Sequence, residues 1–333
     1  MTVNYRTFVI ANPAAGAGSV KEEWPLIERL LRANLPELDF AFTEGPGHAT
    51  LLAREALRNG WEMVVSVGGD GTLNEVINGF YDRPDPEDFF TLCDDGWIVT
   101  TDQTPTPINP DAVLGLLPMG TGGDFRRTLG LMGGMADNVE HLRGQHTRPI
   151  DLGQLAYVDH KGALACRFFI NIACAGQGGL VDEYANKSWK GLGGTMSFLV
   201  ATFRAFIKYK NADLEVRIDD TTEFREKILN LIVANGAYFG GGMWIAPGAQ
   251  PDDGAFQVVS MGDFTRLRQF KVLPSIYSGT HLSFREIDRY RATEVAARAV
   301  DSELSVLLDL DGEQPGQLPA RWVIRPGQIK FKI

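Results

Sequence analysis

Two periodicities divide the chain. Up to about residue 147, short apolar runs alternate with stretches whose apolar positions recur every three or four residues. Thr7 to Ala11, Leu38 to Thr43, Met63 to Val67 and Val113 to Leu117 read as buried strands. A helical pattern opening near Ser19 runs through Leu26, Ile27, Leu30 and Leu31, with Pro25 tolerable only near its start. His48 to Asn59 reads as a second helix, stopped by Gly60. Leu73, Val76, Ile77 and Phe80 mark a third. Strands alternating with helices at this spacing predict a doubly wound parallel sheet.

From Arg148 the helical period fades. Gln154–Val158, Arg167–Ala173, Asp213–Ile218, Lys227–Ala234, Ala255–Ser260 and Leu304–Leu310 read as strands separated by turn residues. This predicts an all-β sandwich over 148–333 after an α/β domain over 1–147. The closing strands, Ala320–Arg325 and Gln328–Ile333, are expected to return to the first domain. Two helical stretches, Thr195–Tyr209 and Phe264–Tyr277, join an apolar face to basic residues. That pattern fits packing on the sandwich, and equally a bilayer edge. Tyr81 to Asp111 fits neither half: it is rich in proline and acids, with Trp97–Thr100 as one short strand. It reads as a surface excursion, or as a lid beside a ligand.

Composition narrows the classes. With 333 residues, 44% hydrophobic and 22% charged, the chain is of ordinary globular make-up and long enough for two domains. A net charge of −10 argues against a general nucleic-acid binder and against adsorption to anionic membranes by net charge alone. Cys93, Cys166 and Cys174 form no CxxC pair, which suggests reduced thiols in the cytoplasm. The apolar run Phe8–Ala11 is too short for a signal peptide, and Ile228 to Gln250 is too polar and glycine-rich to span a membrane.

The candidate chemistry sits where strands become helices. Val64–Val67 ends in Gly68-Gly69-Asp70-Gly71-Thr72, followed by Leu73, Asn74 and Glu75. Glycines let the backbone approach a ligand closely, and the new helix directs N–H groups at it, which favours phosphate. Asp70 would repel a phosphate; it makes sense holding a metal, a metal-bound water or a ribose hydroxyl, or capping the turn. Pro118-Met119-Gly120-Thr121-Gly122-Gly123-Asp124 is a second turn of this kind. The two could grip one nucleotide from two sides. Neither G-x-x-x-x-G-K-[ST] nor G-x-S-x-G nor H-E-x-x-H occurs, and no G-x-G-x-x-G follows the first strand.

The Asp70 loop, with Asn12-Pro13-Ala14-Ala15-Gly16, the Pro118–Phe125 segment, Ile150-Asp151-Leu152-Gly153 and Leu310-Asp311-Gly312-Glu313, resembles the diacylglycerol kinase, sphingosine kinase and bacterial lipid kinase family. The resemblance covers nearly the whole chain. It implies an NAD kinase/phosphofructokinase-like first domain and transfer of a phosphoryl group from ATP to a lipid hydroxyl of diacylglycerol or a sphingoid base. It implies ATP held by Asn12, Pro13, Ala14, Ala15, Gly16, Thr43, Gly68, Gly69, Asp70, Gly71, Thr72, Leu73, Asn74 and Thr121. Mg²⁺ would be held through water by Asp70, Asp124 and Asp151. A second Mg²⁺ would sit on the Asp253 carboxylate with carbonyls of Gln250 and Ala255. The general base is implied in the closing segment, at Asp311 or Glu313. Strand alternation would put Asp309 and Asp311 on one face. Gly123 stands where the family usually has Asn. The implied partners are a lipid substrate and a membrane met peripherally from the cytoplasm, with a homodimer compatible. The alternatives are a soluble-metabolite kinase of NAD-kinase type and a nucleotide-binding regulator without transfer.

Overall fold

The computed structural model describes residues 5–82, 85–176, 211–219 and 221–333. Four apolar strands, β1 (Thr7–Ala11), β2 (Leu38–Phe42), β3 (Met63–Gly68) and β6 (Val113–Pro118), lie parallel in the order β2-β1-β3-β6. Helices cover both faces, because β3 and β6 are apolar on both sides. On one face α2 (His48–Arg58) and α3 (Asp70–Asn78) pack through Ala53, Leu57, Leu73 and Ile77. On the other, α1 (Ser19–Asn34) and α6 (Met135–His141) pack through Trp24, Ile27, Leu31 and Val139. Pro25 lies inside α1 rather than at its first turn.

The C-terminal half is an antiparallel sandwich that continues the same sheet. Among the described residues ten strands form one sheet: the parallel four, then β17 (Gly316–Lys332) with β7 (Thr147–Asp159), β8 (Leu164–Phe169), β15 (Glu294–Ala299), β10 (Ala212–Ile218) and β11 (Thr222–Ile228). The end of β17 pairs parallel with β6 at Lys330 and Phe331, while its length runs antiparallel to β7. A second sheet, β14 (Ile287–Ala292), β13 (Phe256–Met261), β12 (Asn230–Ala234), β9 (Ile172–Gly176) and β16 (Leu308–Leu310), packs face to face on it. Leu155, Trp322 and Ile324 meet Ala175, Leu231, Val258 and Leu310 in the shared core. The helix Arg266–Tyr277 covers the outer face of the second sheet through Val272 and Ile276. The other helical stretch read from the sequence, Thr195–Tyr209, lies outside the described residues.

Two strands expected to be continuous are broken. Arg167–Ala173 divides into β8 and β9, which belong to different sheets, and Lys227–Ala234 divides into β11 and β12 in the same way. Each break lets the chain cross the sandwich, which an apolar run does not announce.

The Tyr81–Asp111 segment is not a loose excursion. A one-turn helix α4 (Pro86–Phe89), capped by Asp85 through Glu87 N–H, leads into a hairpin of β4 (Phe90–Leu92) and β5 (Ile98–Thr100). Phe90 and Ile98 are fully buried against Ala156 and Val323, on the outer face of β7 and β17. The buried Trp97 ring lies under two guanidinium groups, Arg217 at 3.9 Å and Arg298 at 4.8 Å. The segment stays because it covers sheet surface that would otherwise face water.

Candidate active site

Three loops meet at the carboxyl ends of β1, β3 and β6. After β1, Asn12 N–H donates to the Val67 carbonyl (2.9 Å), and Asn12 Nδ2 to Thr72 Oγ1 (3.0 Å). Met119 and Gly120 N–H both donate to the Gly68 carbonyl, at 2.9 and 3.1 Å. The loop backbones touch: a Cβ on Gly120 would fall 2.3 Å from Gly69 Cα, and one on Gly16 would fall 2.6 Å from the Met119 carbonyl. Close approach, not turn geometry alone, demands these glycines. The result is a floor of backbone at the strand ends, where open α/β sheets bind ligands.

Asp70 joins the two glycine turns. Its carboxylate accepts the N–H groups of Asp124 (3.0 Å) and Phe125 (3.3 Å), and so caps α5 (Asp124–Leu129) from the neighbouring loop. Asp124 is buried; its Oδ2 accepts Gly241 N–H at 2.8 Å. Its Oδ1 is buried with no hydrogen-bond partner among the described residues. Burial pushes the Asp124 carboxyl above the usual carboxylate range, the Gly241 N–H opposes this, and the Asp70 charge adds to the rise. Gly123 is left-handed (φ 61°), and a Cβ there would fall 2.6 Å from Arg126 Nε. The Arg126 side chain occupies the space a side chain at 123 would enter.

The closing turn comes to the same place from the other half. Asp311 follows β16 in a left-handed conformation (φ 49°), so it does not share a strand face with Asp309, as alternation had suggested. Its carboxylate accepts four hydrogen bonds: Ile170 N–H (3.1 Å), Asn171 N–H (3.1 Å), Ile172 N–H (2.9 Å) and Asn74 Nδ2 (2.9 Å). The three amides are free for it because the chain leaves β8 and enters β9 at that point. Burial pushes Asp311 up to about 6, against the pull of these donors, and the Asp70 carboxylate pushes the same way. Glu313 Oε2 accepts Arg167 Nη1 at 2.7 Å. Its Oε1 is 4.0 Å from where a Cβ on Gly71 would lie.

The other expected residues divide between this centre and elsewhere. Thr43 directly follows β2, which ends one residue earlier than expected, with its N–H on the Ala11 carbonyl, and Thr121 is exposed on the second turn. Leu73 is fully buried in the α/β core, and Asn74 is fully buried with its amide engaged by Asp311, Phe168 and Arg167. Neither side chain is available to a nucleotide. The Asp151 carboxylate accepts Gly254 N–H and Gly327 N–H, both at 2.7 Å, and faces Asp252 and Asp253. Asp253 bonds Ala255 N–H (3.1 Å) and pairs with Arg291 (3.1 Å), while Gln250 is exposed. An arginine faces that carboxylate. No three His, Cys, Asp or Glu side chains among the described residues stand close enough to hold a metal ion alone.

Two residues carry no motif signal in the sequence, and a third appears there only as part of the motif. Arg167 lies in a strand, with only its charge between Cys166 and Phe168 as a signal. Asn78 docks α3 on β8 by donating to the Phe168 carbonyl and accepting Phe168 N–H, both at 2.9 Å. Glu75 caps α2 by accepting Gly47 N–H (2.8 Å) and Ala49 N–H (3.0 Å); its place beside Asn74 in the motif was the available signal.

Comparison with known proteins agrees with this layout. A diacylglycerol kinase catalytic domain matches residues 6–155, and a YegS C-terminal NAD kinase beta sandwich-like domain matches 171–332. A protein named diacylglycerol kinase from Staphylococcus haemolyticus is 28% identical over 318 residues, covering 95% of this chain and 84% of the relative. A crystal structure of a diacylglycerol kinase from Bacillus anthracis superposes with a TM-score of 0.66 at 18% identity, over 100% of this chain and 98% of that one. Yeast NADH kinase with NADH gives 0.52 at 10% identity, over 99% of this chain and 83% of that one. At such identities the two structures speak for the fold.

Proposed function

As a chain of the diacylglycerol kinase family, with its catalytic domain followed by a YegS-type sandwich, this protein is a kinase, and we propose that it moves the γ-phosphoryl group of ATP to a lipid hydroxyl. The acceptor class is diacylglycerol or a sphingoid base. The observation that carries the reading is the meeting of the two glycine turns with the Asp311–Glu313 turn around the start of α3.

Phosphoryl transfer depends chiefly on positioning and electrostatics. The loop backbones after β1, β3 and β6, with Asn12, Thr43 and Thr121 around them, form the floor for the nucleotide. Asp70 keeps the two glycine turns in register by holding the start of α5. Mg²⁺ arriving with ATP would neutralise the charge on the phosphates. The buried, unpartnered Oδ1 of Asp124, beside Asp70, is the donor that fits such an ion directly or through water. Asp311 is a poor candidate for the base, since four donors already fill its acceptor positions. Glu313 keeps one oxygen uncommitted on the side of Gly71, and we assign it the proton of the acceptor hydroxyl.

No helix among the described residues is long and apolar enough to cross a membrane. The lipid would be met at its surface, and the helix Arg266–Tyr277, with Tyr277 53% exposed at its end, is the described element suited to that contact.

An acceptor panel tests the proposal. With γ-labelled ATP, label should move into the organic phase with diacylglycerols or sphingoid bases. Label retained in the aqueous phase with every lipid, while NAD or a sugar phosphate is phosphorylated, would establish the soluble-metabolite kinase instead.

A further inference from the structure

We infer that Arg167 is a positioning residue that references the base turn to the nucleotide loop, an inference that rests on the phosphotransferase reading above. It starts from the ambiguity of an amide. The two ends of a carboxamide have nearly the same shape, so its neighbours decide which end points where. Asn74 Oδ1 faces two donors, Arg167 Nη2 at 2.7 Å and Asn78 Nδ2 at 3.3 Å. Only the oxygen fits there. Nδ2 is thereby aimed at Asp311 Oδ2 (2.9 Å) and the Phe168 carbonyl (3.0 Å).

The other prong of the guanidinium, Nη1, holds Glu313 Oε2 at 2.7 Å. One side chain therefore fixes an amide on α3 and a carboxylate on the turn after β16. Asp70 and Asn74 lie one helical turn apart on α3. The distance from the Asp70 loop to Glu313 is thus set through α3, Asn74 and Arg167, all hydrogen-bonded, rather than through loop backbone. Burial works against charge at Arg167, but the facing Glu313, Tyr157 and Asp311 raise its pKa overall and keep it cationic. The planar fork is essential here, because a lysine ammonium carries the charge on one atom and does not span both partners in that geometry.

The test uses Arg167→Lys and Arg167→Ala in the full chain, with the acceptor the wild-type protein phosphorylates. A misplacement of the base by an ångström costs about a hundredfold, so kcat should fall tenfold or more in both variants. KM for ATP should stay within about twofold, since uniform nucleotide binding is untouched. Millimolar guanidinium should restore part of kcat to Arg167→Ala without raising its melting temperature. Wild-type kcat in either variant overturns the inference, as does a loss that tracks only the unfolded fraction. A crystal structure of Arg167→Ala decides independently of turnover: the Glu313 carboxylate and the Asn74 amide should leave their observed positions. If both stay, Arg167 does not position them. A wild-type protein inactive on every lipid counts against the lipid acceptor alone, because the crystallographic result stands without it.

Discussion

Asp311 and Glu313 are two positions apart, yet their surroundings assign them different work. Asp311 ends a strand, turns left-handed and is saturated by four donors; Glu313 meets one. Replacing Glu313 by Gln should lower transfer by about a hundredfold to ten-thousandfold while ATP binding persists, as loss of a general base does. Full turnover in that variant would move the base elsewhere. Asp311→Asn should show itself in stability instead. An ordinary aspartate titrates near 3.8, whereas burial holds the folded Asp311 near 6. Between those values the unfolded chain releases its proton first, so stability falls as pH rises through the window and is level above it. The slope amounts to on the order of 2–3 kcal/mol, and denaturant titrations at pH 4 and 6.5 should find it reduced in Asp311→Asn. Asp70→Asn removes the charge and keeps one acceptor oxygen, so only one of the Asp124 and Phe125 N–H groups, which are held by different carboxylate oxygens, is still met. The fold should persist while turnover at limiting Mg²⁺ falls on the order of a hundredfold or more. The motifs made Asp70, Asp124, Asp311 and Glu313 legible from sequence. The duty of Asn74 was not, because its partners Arg167 and Asp311 lie 93 and 237 residues away.

Elements were legible wherever one periodicity held along them. The strands and helices that surround the parallel sheet follow the apolar pattern closely, because each buries one face against a local neighbour. The sandwich was legible as strands but not as two sheets. At Ile170–Asn171 and at Leu229 the chain crosses between sheets inside an apolar run, and no turn residue marks the second crossing. The hairpin of β4 and β5 misled for a related reason: its acids, Asp94 and Asp95, face water, while a few apolar side chains do the packing. Phe90, Trp97 and Ile98 are buried to within 2% exposure. Residues 89–100 should therefore resist limited proteolysis in the native protein. Trp97→Ala removes the ring under Arg217 and Arg298 and should destabilise by about 3–5 kcal/mol, opening the hairpin to chymotrypsin. Early cleavage of the wild-type hairpin would show that it does not cover the sheet.

Across the whole molecule, β17 belongs to both halves, pairing with β6 at its end and with β7 and β15 along its length. The glycine turns and the Asp311–Glu313 turn are thus tied twice, once through this strand and once through α3. Such a frame suits a reaction in which reactants must be held in line. The family, the α/β half and the sandwich could all be read before any coordinates. The acceptor could not, since its recognition depends on surfaces that no motif encodes. The most direct measurement is the initial rate of label transfer from γ-labelled ATP into diacylglycerol in mixed micelles, at constant bulk lipid and varied mole fraction. The account predicts organic-phase label whose rate rises with surface mole fraction and collapses in Asp70→Asn and Glu313→Gln. Organic-phase label that persists in both variants, or none with any lipid while a soluble hydroxyl is phosphorylated, would contradict it.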